Sequence, residues 1–207
     1  MNTRPSQPER PQLWMVWRPL KRKRPISLRL ARGYCIRTYR PGDEAAFLEL
    51  MASGDFDPWD RQKLAYNVSK ILPQGWFFAL QEETKSIVGT AMCLHNYYGR
   101  TPFVGDVGWL ACHPAHRGKG LGYSLTAQVT NRFCDAGYSE IQLHTEYYRL
   151  PAIKTYLKLG YIPRMFCPEM YPLWEGICAT IKWPFTPNEW MQREGPMEIA
   201  KANHQYR

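Results

Sequence analysis

The stretch HPAHRGKGLG, residues 113–122, lies between an apolar run that predicts a strand over 103–112 and a pattern that predicts a helix from about Gly120. The first four backbone N–H groups of such a helix have no partner inside it, and the helix dipole adds partial positive charge there. Glycines let a ligand approach the backbone closely, and Arg117 and Lys119 add positive charge. The stretch therefore predicts a site for a phosphate or a pyrophosphate.

Two common phosphate-binding motifs do not fit this stretch. A Walker loop needs Ser or Thr directly after its lysine, but Lys119 is followed by Gly120. A dinucleotide-binding fingerprint needs two residues between its second and third glycines, whereas Gly118, Gly120 and Gly122 alternate. Three alternating glycines could also form a plain turn, and for an isolated GxG pattern we would favour that interpretation.

The rest of the chain alternates between strand and helix patterns. Leu121, Leu125, Val129 and Phe133 recur every four residues, which is typical of one face of a helix. The predicted strands cover 34–39, 76–81, 86–95, 103–112, 140–145 and 176–183, and the predicted helices cover 43–51, 60–71, 120–137 and 151–159. This order predicts a sheet domain of the α/β (α+β) class.

The positive charge of the chain lies at its N-terminal end. The 207 residues have a formal net charge of +9. Residues 1–40 hold eleven Lys and Arg against the single acid Glu9, whereas residues 41–207 hold sixteen against seventeen acids. The basic run Lys21–Arg24 could contact RNA, a ribosome or anionic lipid, but four basic residues supply only non-specific attraction. We favour a solubilising tail, with nucleic acid as a partner only through this arm.

Composition excludes several classes of protein. A hydrophobic content of 44% excludes a disordered chain. No apolar run approaches the roughly 20 residues that a membrane span needs, and the patch Leu13–Trp17 is shorter than a signal-peptide core. Six cysteines are widely spaced without a CxxC pair, so we expect reduced thiols, no metal site and a cytoplasmic location.

Two motifs together point to a known family. Arg117-x-x-Gly120-x-Gly122, after the strand end Leu110–Pro114, resembles the acetyl-CoA signature of the GNAT superfamily of N-acetyltransferases. A second GNAT-like element, Ala152-x-x-x-Tyr156-x-x-x-Gly160-Tyr161, follows at the distance usual in that family. The runs 149–154 and 39–43 also resemble a poorly characterised bacterial GNAT group.

The resemblance covers roughly residues 34–183 and implies an architecture. It implies a mixed, mostly antiparallel sheet of six to seven strands, flanked by about four helices and splayed at the cofactor site. The corresponding parts are a basic arm over 1–33, expected to pack its apolar patch on the domain, a GNAT domain over 34–185 and a tail over 186–207. Gly105 and Gly108 would fit a bulge in the strand beside the cofactor.

The resemblance also implies how acetyl-CoA would bind. Backbone amides from Arg117 to Gly122 would hold the pyrophosphate, and the backbone edge of the preceding strand would pair with the pantetheine arm. Many GNAT enzymes have Asn where this chain has Arg149, which could bind a phosphate or the acceptor instead. The expected cofactor-binding residues are Leu110, Ala111, Cys112, Arg117, Gly118, Lys119, Gly120, Leu121, Gly122 and Arg149.

Catalysis requires a proton donor for the departing thiolate and a base for the amine. By resemblance, Tyr156 is the general acid; its alternative is a tyrosine packed in the core. Asp106 is the candidate base, since it stands four residues before Leu110, on the same face of a regular strand. Asp106 could equally be a strand residue bonded locally. His95 and His144 are alternative proton relays, although each is more often structural.

The resemblance places the acceptor beside the loop between the first two helices and the final strands. Phe56, Trp59 and Trp174 are the expected acceptor-binding residues, and nearby acids would suit a cationic amine with an apolar body. Ordinary packing is the alternative for each of them. The predicted function is transfer of an acetyl group from acetyl-CoA to an unidentified amine in a monomer or homodimer; a non-catalytic acyl-CoA-binding module and a nucleic-acid-associated protein remain open.

Overall fold

The computed structural model describes residues 12–18, 25–54, 56–97, 99 and 103–192. Within those residues the chain forms eight strands and five α-helices. In chain order they are β1 Leu13–Trp17, β2 Tyr34–Thr38, α1 Glu44–Ala52, α2 Arg61–Val68, β3 Ile71–Gln81, β4 Ile87–His95, β5 Val104–Cys112, α3 Leu121–Asp135, β6 Glu140–Thr145, α4 Leu150–Leu159, β7 Ile162–Met165, α5 Met170–Ile181 and β8 Met191–Gln192. Among these elements, no helix is long and apolar enough to cross a bilayer.

The strands form one sheet in the order β2-β3-β4-β5-β6-β1-β7-β8. Neighbouring strands are antiparallel, except for the parallel pairs β5–β6 and β7–β8. The mixed, mostly antiparallel sheet is therefore confirmed, with one strand and one helix more than the sequence predicted. The strands that were not among the predicted ones are β1, β7 and β8, whereas the predicted strand over 176–183 falls in α5, the additional helix.

The N-terminal strand β1 lies inside the sheet. It is antiparallel to β6 along its whole length and pairs with β7 through Met15 and Val16. Leu13, Met15 and Val16 are almost completely buried. The sequence assigned this patch to an arm packed on the domain; the structure corrects that, because a strand with both neighbours paired belongs to the core. The basic run Lys21–Arg24 lies outside the described residues, as does most of the expected tail.

The C-terminal segment contains a helix where a strand was predicted. The prediction of a last strand over 176–183 is wrong, because residues 170–181 form α5. Its buried residues follow the spacing of a helix face, at Met170, Trp174, Ile177, Cys178 and Ile181. Pro172 lies in the first turn, where a helix tolerates proline.

Helices cover both faces of the sheet, and the sheet divides the hydrophobic core into two clusters. On one face, α3, α4 and α5 pack over the larger cluster, which includes Leu125, Phe133 and Trp174. On the other face, α1 and α2 cover a smaller cluster around Phe47 and Trp76. We call this second side the α1–α2 face. The glycine stretch follows β5, and the second motif follows β6. The two motifs therefore come after the two strands that meet at this boundary.

Candidate active site

The sheet opens between β5 and β6. These strands pair in parallel only from Val104 opposite Glu140 to Asp106 opposite Gln142. On its other side β5 continues to pair with β4 as far as Cys112. Within the described part of the chain, residues 107–112 thus have no partner strand on the β6 side. The splayed sheet that the sequence led us to expect is confirmed, and the opening leaves a backbone edge exposed to a cleft.

A bulge in β5 lies at this opening. Gly108 is opposite Met92 and Ala111 is opposite Thr90, so Trp109 and Leu110 both face the single residue Ala91. Trp109 has a φ of 50°, in the left-handed region that a bulky residue rarely adopts. The predicted bulge is therefore present, at the residues that directly follow Gly108.

The two strand glycines are required by packing. A Cβ atom on Gly105 would lie 2.5 Å from the Phe133 ring, and one on Gly108 would lie 2.2 Å from Leu94. Neither space accommodates a side chain. Gly105 and Gly108 therefore allow close approach of α3 and β4 to the strand, while the bulge itself is formed by Trp109 and Leu110.

The glycine stretch forms a loop and the start of α3, as predicted. Gly118 and Gly120 both have a φ of 76°, and Gly120 is the N-cap of the 15-residue helix. Ser124 N–H donates to Gly120 O, so the N–H groups of residues 121–123 precede the first bond of the helix ladder. The loop thus has the free amides and the dipole end that an anion site needs.

Residues 25–31, which the sequence left without a role, hold this loop from outside. Ala31 N–H donates to Lys119 O at 3.0 Å, and Arg29 N–H donates to Ser124 Oγ at 2.8 Å. Arg29 O approaches Gly120 so closely that a Cβ atom there would lie 1.7 Å away. No local pattern in the sequence indicated this contact, because it joins segments about 90 residues apart.

A cleft of about 620 Å³ follows the open edge of β5 to the glycine loop. That volume is in the range of small-molecule sites. Nine of the ten expected cofactor-binding residues line it; Lys119 is the exception and lines a smaller depression with Arg32 and Tyr34. The lining residues that sequence reasoning missed include Leu50, Gly54, His116, Tyr123, Pro151 and Thr155. Some of these residues directly adjoin predicted ones in the sequence, as His116 adjoins Arg117, and this adjacency was the only local indication that they line the cleft.

Tyr156 lies in α4 behind the cleft wall. It is buried, and burial is the main cause that raises the pKa of its hydroxyl, while the nearby Arg149 opposes the rise. Cys112 also acts on this pKa, and both Cys112 and Arg149 line the cleft, whereas Tyr156 itself is not among the lining residues. A tyrosine with a raised pKa keeps its proton at neutral pH, which a proton donor requires.

Asp106 lies where β5 and β6 part. Its Oδ1 accepts a 2.8 Å hydrogen bond from Gln142 Nε2, and its Oδ2 is buried without a partner among the described residues. Burial raises the pKa of this carboxyl to about 7, although the bond from Gln142 lowers it. A carboxyl that titrates near neutral pH can exchange protons with an amine.

The bulge changes the face on which Asp106 stands relative to Leu110. Asp106 is opposite Leu94, on the α1–α2 face. Because the bulge adds one residue, Ala111 shares that face and Leu110 does not. The expectation that Asp106 and Leu110 share a face is therefore wrong. The carboxyl does not line the cleft, and it lies on the side where the acceptor is expected.

The alternative proton relays have partners elsewhere. His95 Nδ1 is hydrogen-bonded to Tyr138 Oη, and the His144 ring packs against Trp14 at 5.2 Å between centroids. Neither histidine lines the cleft. His116 does line it, and its Nδ1 is 3.0 Å from Tyr34 Oη.

Arg149 contacts aromatic rings from two parts of the cleft lining. Its guanidinium lies 5.0 Å from the centre of the Phe56 ring and 5.9 Å from that of Tyr148. Phe56 comes from the segment between α1 and α2, whereas Arg149 and Tyr148 precede α4. The stack therefore joins the two sides of the cleft, and all three residues line it.

Two of the three expected acceptor residues lie together. Phe56, which lines the cleft, and Trp59 both pack edge-on against Trp109, with 6.4 Å and 4.5 Å between ring centroids. Trp174 is completely buried in α5 against Trp190, so the structure corrects its assignment to an acceptor surface.

A polar cluster on α2, which the sequence did not reveal, lies beside the bulge. Lys63 is 5% exposed, and its Nζ has no hydrogen-bond partner among the described residues. The ammonium lies 5.1 Å and 5.0 Å from the ring centres of Trp59 and Trp109. Burial lowers the pKa of Lys63, and Asp57 and Asp60 oppose that change. Its ammonium thus occupies the aromatic faces that a cationic acceptor would use. We call Lys63, Asn67, Trp59 and Trp109 the α2 cluster.

Comparison with known proteins matches the chain to one family. The model of the acetyltransferase (GNAT) family matches residues 45–161. The mycothiol acetyltransferase of Catenulispora acidiphila is 31% identical over 162 residues, which is 74% of this chain and 51% of that protein. The chain thus spans about half the length of the curated relatives that it matches.

Solved structures share the fold. A GCN5-related N-acetyltransferase from Sphaerobacter thermophilus aligns with a TM-score of 0.60 and 23% identity, over 73% of this chain and 48% of that one. A GNAT superfamily phosphinothricin acetyltransferase from Sinorhizobium meliloti, solved in complex with AcCoA, aligns with a TM-score of 0.51 and 19% identity, over 62% of this chain and 74% of that one. At these identities the likeness shows the fold alone.

Proposed function

The chain belongs to the acetyltransferase (GNAT) family, and from this membership we propose that it transfers an acetyl group from acetyl-CoA to a primary amine bound at the same time. The observation that supports the proposal most is the cleft between β5 and β6. It has an unpaired strand edge along one wall and the N-terminus of α3 at one end. These two features suit an extended amide-containing arm that ends in a pyrophosphate.

The residues of the cleft divide into binding and chemical roles. Amides at the start of α3, with Arg117, would hold the pyrophosphate, and the edge of Leu110–Cys112 would pair with the pantetheine arm. A backbone N–H near Leu110 would stabilise the oxyanion of the tetrahedral intermediate. Arg149, stacked between Phe56 and Tyr148, would close the mouth over the bound arm.

Proton transfer would involve two buried groups. Asp106, whose pKa is raised to about 7, would accept the proton of the amine directly or through water. The amine nitrogen would attack the thioester carbonyl, and collapse of the intermediate would break the carbon–sulfur bond. Tyr156 would give its proton to the departing thiolate, since burial keeps its hydroxyl protonated.

The proposal is tested first by binding. Acetyl-CoA that binds the native state raises the melting temperature by mass action; at a hundredfold excess over Kd the gain is about 2.7 kcal/mol, or several degrees for a chain of this size. We expect such a shift with acetyl-CoA and with CoA. No shift at millimolar acetyl-CoA would contradict the proposed cofactor.

Turnover is tested by thiol release with a panel of amines that contains alkyl amines, amino acids, amino sugars and peptides. We expect release to depend on at least one amine and to rise with pH through about 7, as Asp106 ionises. Stabilisation by acetyl-CoA without thiol release on any amine would instead favour the non-catalytic acyl-CoA-binding module.

A further inference from the structure

Trp109 adopts a backbone conformation that its own side chain disfavours. Its φ of 50° lies in the left-handed region, which is disfavoured for a residue other than glycine. Such conformations persist where the surroundings hold them, and they cluster at functional sites. The next residue, Leu110, lines the cleft and begins the open edge.

One buried side chain holds the Trp109 ring. Asn67 is 0% exposed, and its Oδ1 accepts a hydrogen bond from Trp109 Nε1. Its Nδ2 donates to Lys63 O at 2.8 Å, one turn earlier in α2. Both ends of the amide are therefore bonded, which fixes its orientation.

The rest of the α2 cluster confines the ring from other sides. The Trp59 ring meets that of Trp109 edge-on, and the Lys63 ammonium lies near both rings. Asn67, in contrast, makes the directional contact, because a hydrogen bond to Nε1 specifies how the indole is turned. Trp109 carries this ring and is also one of the two residues of the bulge. The orientation of the ring and the geometry of the bulge are therefore coupled.

We propose that Asn67 is a positioning residue for acetyl transfer, acting through Trp109 to fix the bulge and so the direction of the Leu110 backbone. This inference rests on the proposed function, in which that backbone binds the pantetheine arm and the oxyanion. The open edge is a productive site only when the bulge has one geometry. Asn67 does not line the cleft, but from α2 it fixes the geometry of the bulge through its hydrogen bond to Trp109.

The test is a double-mutant cycle in the full chain with Asn67→Ala, Trp109→Phe and both together. Trp109→Phe keeps an aromatic ring but removes Nε1–H, so each single variant removes the same hydrogen bond. We expect each to lower kcat/KM for acetyl-CoA about tenfold, the effect of a lost interaction of about 1.4 kcal/mol. The double variant is expected to fall little further.

A spectroscopic signature accompanies the kinetics. The indole N–H resonance of Trp109 is identified in a ¹H–¹⁵N spectrum by its absence in Trp109→Phe. In Asn67→Ala we expect that resonance to move upfield as the hydrogen bond is lost. An unmoved resonance would show that the bond does not form in solution and would overturn the inference.

The control is Trp17→Phe in β1. Trp17 also makes a buried indole hydrogen bond, its Nε1–H donating to Leu159 O at 3.2 Å, and it does not line the cleft. We expect it to lower the melting temperature while kcat/KM stays within twofold. If Asn67→Ala is folded and its kcat/KM also stays within twofold of the wild type, the role of Asn67 is structural. That result would overturn the inference and leave the proposed function standing. A wild-type chain that neither binds acetyl-CoA nor releases thiol overturns the proposed function and the inference with it.

Discussion

Two buried tyrosines on and after α4 differ in what surrounds their hydroxyls. Burial raises the pKa of both Tyr156 and Tyr161. The hydroxyl of Tyr161 is hydrogen-bonded to Thr130 at 2.7 Å. The pKa of Tyr156 is instead affected by Cys112 and Arg149, which line the cleft. Position, rather than acidity, therefore distinguishes the candidate acid from its neighbour.

Replacing Tyr156 with Phe tests this assignment. Because the ring is kept, we expect the KM for acetyl-CoA to change by less than about threefold, while kcat falls about 100-fold with loss of the proton donor. Tyr161→Phe is the matched control; it loses one buried hydrogen bond, worth about 1 kcal/mol of stability, and keeps kcat. Equal kcat values for Tyr156→Phe and the wild type would remove this residue from the mechanism.

Asp106 makes stability depend on pH. Its pKa of about 7 in the folded chain lies above the ordinary value of 3.8, so the folded state binds the proton more tightly than the unfolded state does. The resulting stabilisation is complete below about pH 4 and is lost as the pH rises through 7. A pKa difference of this size lowers the free energy of unfolding above pH 7 by on the order of 4 kcal/mol, relative to its value below pH 4.

The variant Asp106→Asn removes that charge and keeps an acceptor for Gln142. We expect the free energy of unfolding of the variant to exceed that of the wild type by a few kcal/mol at pH 8, and the difference to vanish near pH 4. Urea unfolding at both values measures it. A difference that does not change with pH would contradict the buried carboxyl, and full activity in the variant would exclude it as the base.

At the scale of elements, local patterns predicted what local interactions determine. The glycine loop and the start of α3 follow from residues that are close together in the chain. The open edge of β5 depends on β6, which lies about 35 residues later, and it was expected from the family resemblance. The bulge shows the limit of such reasoning, because one extra residue at Trp109 and Leu110 reversed the predicted facing of Asp106 and Leu110. In α5, a window that began at Gly176 contained β-branched residues, whereas the helical spacing starts at Met170.

Two glycines of the loop have the same φ but different surroundings. An alanine Cβ at Gly118 would meet nothing within 4 Å, whereas one at Gly120 would collide with Arg29 O. Gly118→Ala should therefore cost only the roughly 1–2 kcal/mol of the left-handed conformation. Gly120→Ala should cost more, because residues 29–31 must also move away.

Hydrogen exchange measures this difference directly. In Gly120→Ala we expect faster exchange of the Arg29 and Ala31 amides, which donate to Ser124 and Lys119. In Gly118→Ala these two amides should stay protected. Equal exchange rates of these two amides in the two variants would show that residues 29–31 are not held in place by the glycine loop.

At the scale of the whole molecule, the sequence predicted the sheet class but not its full membership. The pattern Leu13–Trp17 has the length of a strand, yet its partners β6 and β7 begin more than 120 residues later, and no turn beside it indicates them. The position of β1 also affects the question of the basic arm. Deleting residues 1–33 would remove a core strand, so nucleic-acid binding is better tested by replacing Lys21–Arg24 with Gln.

The contribution of β1 can be measured at Val16, which pairs with Gln142 on one side and Ile162 on the other. Proline at this position removes a backbone N–H and does not fit a central strand. We therefore expect Val16→Pro to give little folded protein, seen as the loss of a cooperative melting transition. Val16→Ala removes the side chain but keeps the N–H, so it should fold with a loss of about 1–3 kcal/mol. If Val16→Pro instead melts like Val16→Ala, the sheet does not depend on β1, and the folded unit begins near Tyr34 as the sequence alone suggested.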